Sequence, residues 1–190
     1  EVNEPVTKIQ LNNFTVHEGE AGQIVGDLII DDPDVGEDRS YYITGEDAKY
    51  FEVDSNGVLK LKDDITLDYE TLSSDFLFIT ITVIESQGFT AIQSFSIEVV
   101  NTIDSPTDIL LTSTMIDVDD PSGHVIGQLI TEDQDLNDQH SYTVNNSNFE
   151  VVDGQLKLKE GVVADYESQT SYSVTIISTD SGGLSVSKDF

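Results

Sequence analysis

Carboxylates placed in loops are the residues of this chain best suited to chemistry. They are Glu18, Asp32-Pro-Asp34, Asp68-Tyr-Glu70, Glu85, Asp104, Asp119, Asp133-Gln-Asp135, Asp165-Tyr-Glu167 and Asp180. Carboxylate oxygen is a hard ligand, and Ca2+ accepts 6–8 oxygens at flexible geometry, whereas Mg2+ prefers few carboxylates and several waters. An acidic composition alone has a plainer explanation, since Asp and Glu number 37 against 8 Lys and Arg, a net charge of −29 that favours solubility. A merely solvated surface scatters its acids along strands, and here many of them gather in short loop motifs. The same charge excludes nucleic acid and anionic membrane surfaces as partners.

Other chemistries find little support. Cysteine is absent, so disulfides, thiolate catalysis and thiolate metal sites are excluded. An EF-hand loop starting at Asp133 would need Gly at its sixth position and Glu at its twelfth, where Asp138 and Val144 stand; one starting at Asp32 would end on Ile43. His17, His124 and His140 lie far apart in sequence and read as surface residues. No nucleophile elbow, His-x-x-x-His pair or Gly-rich phosphate loop occurs. Paired carboxylates could serve a glycosidase, but calcium accounts better for so many. The chain is expected not to be an enzyme.

The elements that hold these acids repeat. Gly22-Gln-Ile-Val-Gly-Asp-Leu28 matches Gly123-His-Val-Ile-Gly-Gln-Leu129, Gly57-Val-Leu-Lys-Leu-Lys62 matches Gly154-Gln-Leu-Lys-Leu-Lys159, and Asp68-Tyr-Glu70 matches Asp165-Tyr-Glu167. An offset of about 100 residues, kept in order, marks tandem domains: residues 1–101 and 102–190, joined by the short Asn101-Thr-Ile-Asp-Ser-Pro106 link. Phe95-Ser-Ile-Glu-Val99 alternates apolar and polar, Leu77, Ile79, Ile81 and Val83 share one strand face, and Tyr172, Val174 and Ile176 repeat that face. The expected fold is all-β, two tandem seven-stranded Greek-key β-sandwiches, immunoglobulin-like and set end to end, the last strand of the second incomplete. No apolar run is long enough to cross a membrane, and no signal peptide opens the sequence, which reads as a segment of something longer.

Strand direction reverses at each antiparallel connection, so motifs at alternate connections share an end of the sandwich. Glu18, Asp68 and Glu70 then face the second repeat's Asp133, Asp135 and Asp180, with Asp104 between. Two such charges about 4 Å apart repel by roughly 4 kcal/mol at an effective dielectric near 20, so a closed junction requires cations.

The ordered set of Glu, Asp-x-Asp, Asp-Tyr-Glu and a late Asp-x-Gly resembles the cadherin repeat, and Pro106-Thr-Asp-Ile-Leu-Leu111 with Leu67-Asp-Tyr-Glu70 is similar to bacterial cadherin-like repeats. The resemblance implies calcium between successive repeats, stiffening the array. It places the first-strand Glu on Glu18, the Asp-x-Glu motif on Asp68 and Glu70, the linker motif on Asn101 to Asp104, the Asp-x-Asp motif on Asp133 and Asp135, and the late Asp on Asp180. Asn101 and Ile103 depart from the linker pattern; Thr102 is expected to offer its backbone carbonyl and Asp104 to bridge. Two to three Ca2+ are expected at the junction. Asn3, Glu4, Asp32, Asp34 and Glu85 would form a half-site facing upstream, and Asp119, Asp165 and Glu167 one facing downstream.

The expected function is a calcium-binding segment of a cell-surface or secreted adhesin, extracellular because modest calcium sites fill only there. Its partners would be other cadherin-like repeats of the parent chain, with homophilic and polysaccharide binding both open. The alternative is a calcium-dependent polysaccharide-binding module of a secreted bacterial protein, which needs an aromatic platform in a chain without Trp.

Overall fold

A computed structural model describes residues 4–34, 38–118 and 120–190. It divides the chain into two units, Glu1–Thr102 and Ile103–Phe190, and both are built from strands. Among the described residues no helix is long and apolar enough to cross a membrane.

The first unit contains β1 (Lys8–Leu11), β2 (Thr15–His17), β3 (Ile24–Asp31), β4 (Arg39–Thr44), β5 (Phe51–Val53), β6 (Val58–Leu61), β7 (Phe76–Glu85) and β8 (Thr90–Val100). One sheet has the order β1-β3-β6-β5 and the other β2-β8-β7-β4. The seven-stranded plan holds, with the first strand divided. Its β1 half pairs antiparallel with β3, and its β2 half crosses to the other sheet to lie parallel to the end of β8, Thr15 opposite Glu98 and His17 opposite Val100. Period-two alternation forms the core. In β7 the side chains of Leu77, Ile79, Ile81 and Val83 are buried, and they pack with Val25, Phe51, Leu59 and Leu61 of the facing sheet.

The second unit contains β9 (Asp108–Leu111), β10 (Val125–Glu132), β11 (Ser141–Val144), β12 (Phe149–Val152), β13 (Gln155–Leu158), β14 (Thr175–Thr179) and β15 (Ser185–Asp189). Its sheets are β12-β13-β10-β9 and β11-β14-β15. The repeated glycine of the matching strands has a steric cause. At Gly127, next to an irregularity in the β10–β13 pairing, a Cβ would lie 2.9 Å from the backbone N and O of Ser113. Only Gly admits so close an approach, and Gly26 holds the same place in β3 against Asn12 and Asn13.

One strand differs from the sequence expectation. Tyr172 and Val174 were read with Ile176 as one strand face, yet β14 begins only at Thr175. Val174 and Ile176 are still buried, and Tyr172 meets the Phe149 ring edge-on at 5.4 Å between centroids. The physical cause is pairing: the start of β7 is a strand because it pairs with the end of β8, Phe76 opposite Glu98 and Leu77 opposite Ile97. In β14 the pairing with β15 begins at Thr175 opposite Asp189, and among the described residues no strand pairs with Ser171 and Tyr172.

Candidate metal-binding sites

Glu18 directly follows β2 and is 4% exposed despite its charge. Burial is tolerated because both its oxygens accept backbone N–H groups, Oε2 from Tyr69 and Oε1 from Thr102, each at 2.6 Å. One side chain thus ties the end of β2 to the Asp-Tyr-Glu turn and to the residue that ends the unit. That turn is a short 3-10 segment, Tyr69–Thr71, for which Asp68 is the N-cap residue without spending its side chain on a capping bond. The Tyr69 hydroxyl bonds to Asp75, which raises its pKa and anchors the turn. Asn101 Nδ2 donates to Glu70 Oε1 at 2.8 Å.

Glu18, Asp68 and Glu70 each bring an oxygen within 4.8 Å of the others. At an effective dielectric near 20, each charged pair at such a separation repels by roughly 3–4 kcal/mol. Asp68 Oδ1 is buried and has no hydrogen-bond partner. Three converging carboxylates with an unsatisfied buried oxygen fit a hard divalent cation and suit no apolar ligand.

In the second unit, Asp133 and Asp135 form a tight turn after β10. The Asp135 N–H donates to Asp133 Oδ1 at 3.1 Å, and the Asp104 N–H donates to Asp135 Oδ2 at 2.7 Å. Asp104 Oδ2 accepts from Gln134 Nε2 at 3.2 Å. Asp180 follows β14 and is 7% exposed. Its Oδ1 accepts the Leu184 N–H at 2.8 Å, while its Oδ2 is buried without a partner.

The reason for that orphaned oxygen is legible by comparing the units. The Thr7 N–H donates to Asp31 O, and the Thr107 N–H donates to Glu132 O, both at 2.8 Å, so the two threonines are equivalent. One residue earlier, the Val6 N–H donates to Glu85 Oε1 at 2.7 Å. In the second unit that residue is Pro106, which has no N–H to give to Asp180. The buried carboxylate there lacks the donor that satisfies its counterpart.

Sequence reasoning missed two members of this cluster. His140 Nε2 lies 2.8 Å from Asp133 Oδ2 with its side chain only 12% exposed, so it is no plain surface histidine. Asp138, with Asp133 and His140, forms the second unit's group of metal-capable side chains. Its carboxyl is held below the usual range, chiefly by its bonds with Ser181. The available signal was the repeat itself: the first unit has Arg39 in the matching place, with Nη2 2.6 Å from Asp32 Oδ2.

The expected outer half-sites look different. At the first, Asp32 is held at a depressed pKa by the Asp34 N–H and then by Arg39. The Glu4 N–H donates to Asp34 Oδ2 at 2.6 Å, and Asn3 lies outside the described residues. At the second, Asp119 lies outside them, and Asp165 and Glu167 are exposed, Asp165 Oδ1 accepting the Glu167 N–H at 3.0 Å. His17 is exposed, and His124 Nδ1 lies 3.4 Å from Asp120 Oδ1.

Scans against protein-family models and curated proteins give no match. Solved structures do. Extracellular cadherin domains 1–4 of protocadherin gamma B7 align over 99% of this chain and 49% of their own length, at 24% identity and a TM-score of 0.66. Drosophila N-cadherin EC1-4 aligns over 97% of this chain and 48% of its own, at 18% identity and a TM-score of 0.72. Human protocadherin-24 EC1-2 aligns over 100% of this chain and 94% of its own, at 21% identity and a TM-score of 0.70. The chain therefore spans about half of the four-domain structures it matches and nearly all of a two-domain one. Its fold is that of cadherin extracellular repeats, two in tandem.

Proposed function

We propose that the chain is a calcium-binding tandem segment of a cell-surface or secreted adhesin, in which Ca2+ is held jointly by the two units. The ligands are Glu18, Asp68, Glu70, Asn101 and Thr102 from the first, and Asp104, Asp133, Asp135 and Asp180 from the second. The observation that carries this reading is the pair of buried carboxylate oxygens without donors, Asp68 Oδ1 and Asp180 Oδ2, one in each unit. A buried polar atom left unsatisfied costs about 1–3 kcal/mol, and more when charged, so each needs a cation that the protein itself does not supply. Two or three Ca2+ offset most of the charge of the carboxylates named, and calcium's 6–8 oxygens match such a donor set.

Calcium neutralises each acidic cluster and, by sharing ligands, stiffens the link between units. Adhesion follows from the kind of domain the fold represents, and an extracellular setting from the millimolar range in which modest sites fill. The outer acidic groups bind weakly in this reading: Arg39 already supplies Asp32 with a fixed cation. Limited proteolysis tests the stiffened link. Removing Ca2+ with EDTA should increase cutting between residues 101 and 106; an unchanged cutting rate there would contradict the proposal.

A further inference from the structure

Arg39 of the first unit and His140 of the second hold matching places, each beside the first carboxylate of an Asp-x-Asp turn, yet they differ in what they can bind. A guanidinium keeps its protons and has no lone pair to give a metal. An imidazole with its proton on Nδ1 offers Nε2 as a ligand, and Nε2 is the atom that His140 turns toward Asp133 Oδ2, at 2.8 Å. Neither side chain is open to solvent, His140 being 12% and Asp133 4% exposed. Asp138 completes the group. The chain turns at Asn137, whose φ of 72° lies in the left-handed region that Asn tolerates, and Asp138 brings an oxygen within 4.8 Å of the ligand atoms of Asp133 and His140. The Ser181 N–H donates to Asp138 Oδ2 at 3.2 Å, which ties this carboxylate to the turn after β14.

A separate observation comes from the neighbouring strand. Ser141 pairs with Thr179 in the β11–β14 ladder, and the register continued by one residue sets His140 opposite Asp180, as Arg39 is opposite Glu85 in the first unit. By alternation both belong to the inward face, His140 with Tyr142 and Asp180 with Ser178 and Ile176. Asp180 is more than nine-tenths buried, and its Oδ2 has no hydrogen-bond donor. A buried carboxylate oxygen without a donor, on the face that holds His140, calls for a cation at that place.

We propose that Asp133, Asp138 and His140 form a site for a transition-metal ion of the Zn2+ type within the second unit. The inference rests on the reading of this acidic cluster as a metal site, and it adds which metal the histidine selects. Calcium binds through oxygen, whereas imidazole suits Zn2+, Cu2+ and Ni2+. Four-coordinate Zn2+, with bonds of about 2.0–2.2 Å, spaces its ligand atoms about 3.3 Å apart, within the 4.8 Å over which these three are gathered. Two carboxylates and one imidazole leave a position for water, and Asp180 adds negative charge beside the ion. Zn2+ and Ca2+ then compete for Asp133. The first unit, with Arg39 in the matching place, has no nitrogen ligand to offer there.

Calorimetric titration of Zn2+ into the calcium-free 190-residue protein tests this. One saturable event is expected, and the imidazole 15N resonances of His140 should shift with it. His140→Gln, whose amide can still donate to Asp133, should weaken the event at least about tenfold, and so should Asp138→Asn. His124→Gln, at a histidine 3.4 Å from Asp120 Oδ1 in the same unit, should leave it unchanged. No saturable event up to about 1 mM Zn2+, equal affinity in the His140→Gln protein, or unshifted His140 resonances would overturn the proposal. A Ca2+ titration of wild type and of the His140→Gln protein separates its failure from that of the calcium reading. Calcium uptake kept in both, with zinc lost from the variant, supports both readings. Calcium uptake without the zinc event overturns the zinc site alone, zinc uptake without calcium overturns the calcium reading alone, and uptake of neither ion overturns both.

Discussion

In the proposed function metal dependence turns on Asp68 and Asp180, and each gives a separate prediction. Replacing Asp68 by Asn removes one charge from a cluster whose members repel by roughly 3–4 kcal/mol per pair. In EDTA the Asp68→Asn protein should therefore melt no lower than wild type, whereas in millimolar Ca2+ it should melt lower; calorimetric melting in both buffers reads the difference. Pro106→Ala restores the N–H that Val6 provides in the first unit. Loss of proline also loosens the unfolded chain, so the useful quantity is the gain in stability on adding Ca2+, which should fall by about 1 kcal/mol as Asp180 acquires a donor of its own. Acid sensitivity has a different source. Lys188 holds both oxygens of Asp108, at 2.7 and 2.8 Å, and with the Ile109 N–H depresses its pKa. A depressed carboxyl stabilises the fold above its unfolded pKa, near 3.9, and that contribution is lost as pH falls through the folded value. Melting of the second unit should drop below about pH 4, and Lys188→Met should shrink the drop.

At the level of elements, the sandwich was legible because its signals are local. Alternation in Leu77–Val83 and the paired glycine motifs follow from one face being buried and one backbone approach being close, and both show in a single segment of sequence. Leu59 of β6 and Leu158 of β13 are each fully buried, so Leu→Ala at either should cost about 2–5 kcal/mol of its own unit's stability, read from denaturant unfolding. What stayed hidden depends on partners distant in sequence. The bounds of β14 follow its pairing with β15, Thr175 opposite Asp189, which the residues of one segment do not show. Likewise nothing local marks His140 as the counterpart of Arg39, which only the repeat offset shows, or Pro106 as the lost donor to Asp180, which only the units' differing hydrogen bonds show. The acidic motifs themselves were readable because their types, order and spacing recur, although which oxygens lack donors was not.

For the whole molecule, a net charge of −29 and two units with the cadherin-repeat fold raise one question: whether the acidic clusters act separately or share their ions. Separate clusters would make each unit its own calcium protein. Shared ions make the link between them the functional part, as the proposed adhesin segment requires. Calcium titration calorimetry on wild type, Asp68→Asn, Asp180→Asn and the double variant separates these cases, because groups acting on one bound ion are not additive. Joint coordination predicts that either single substitution, one in each unit, abolishes the same tight binding events and that the double variant loses no more. Losses that simply add, each variant removing only its own unit's ions, would contradict it, as would a wild-type protein that takes up no Ca2+.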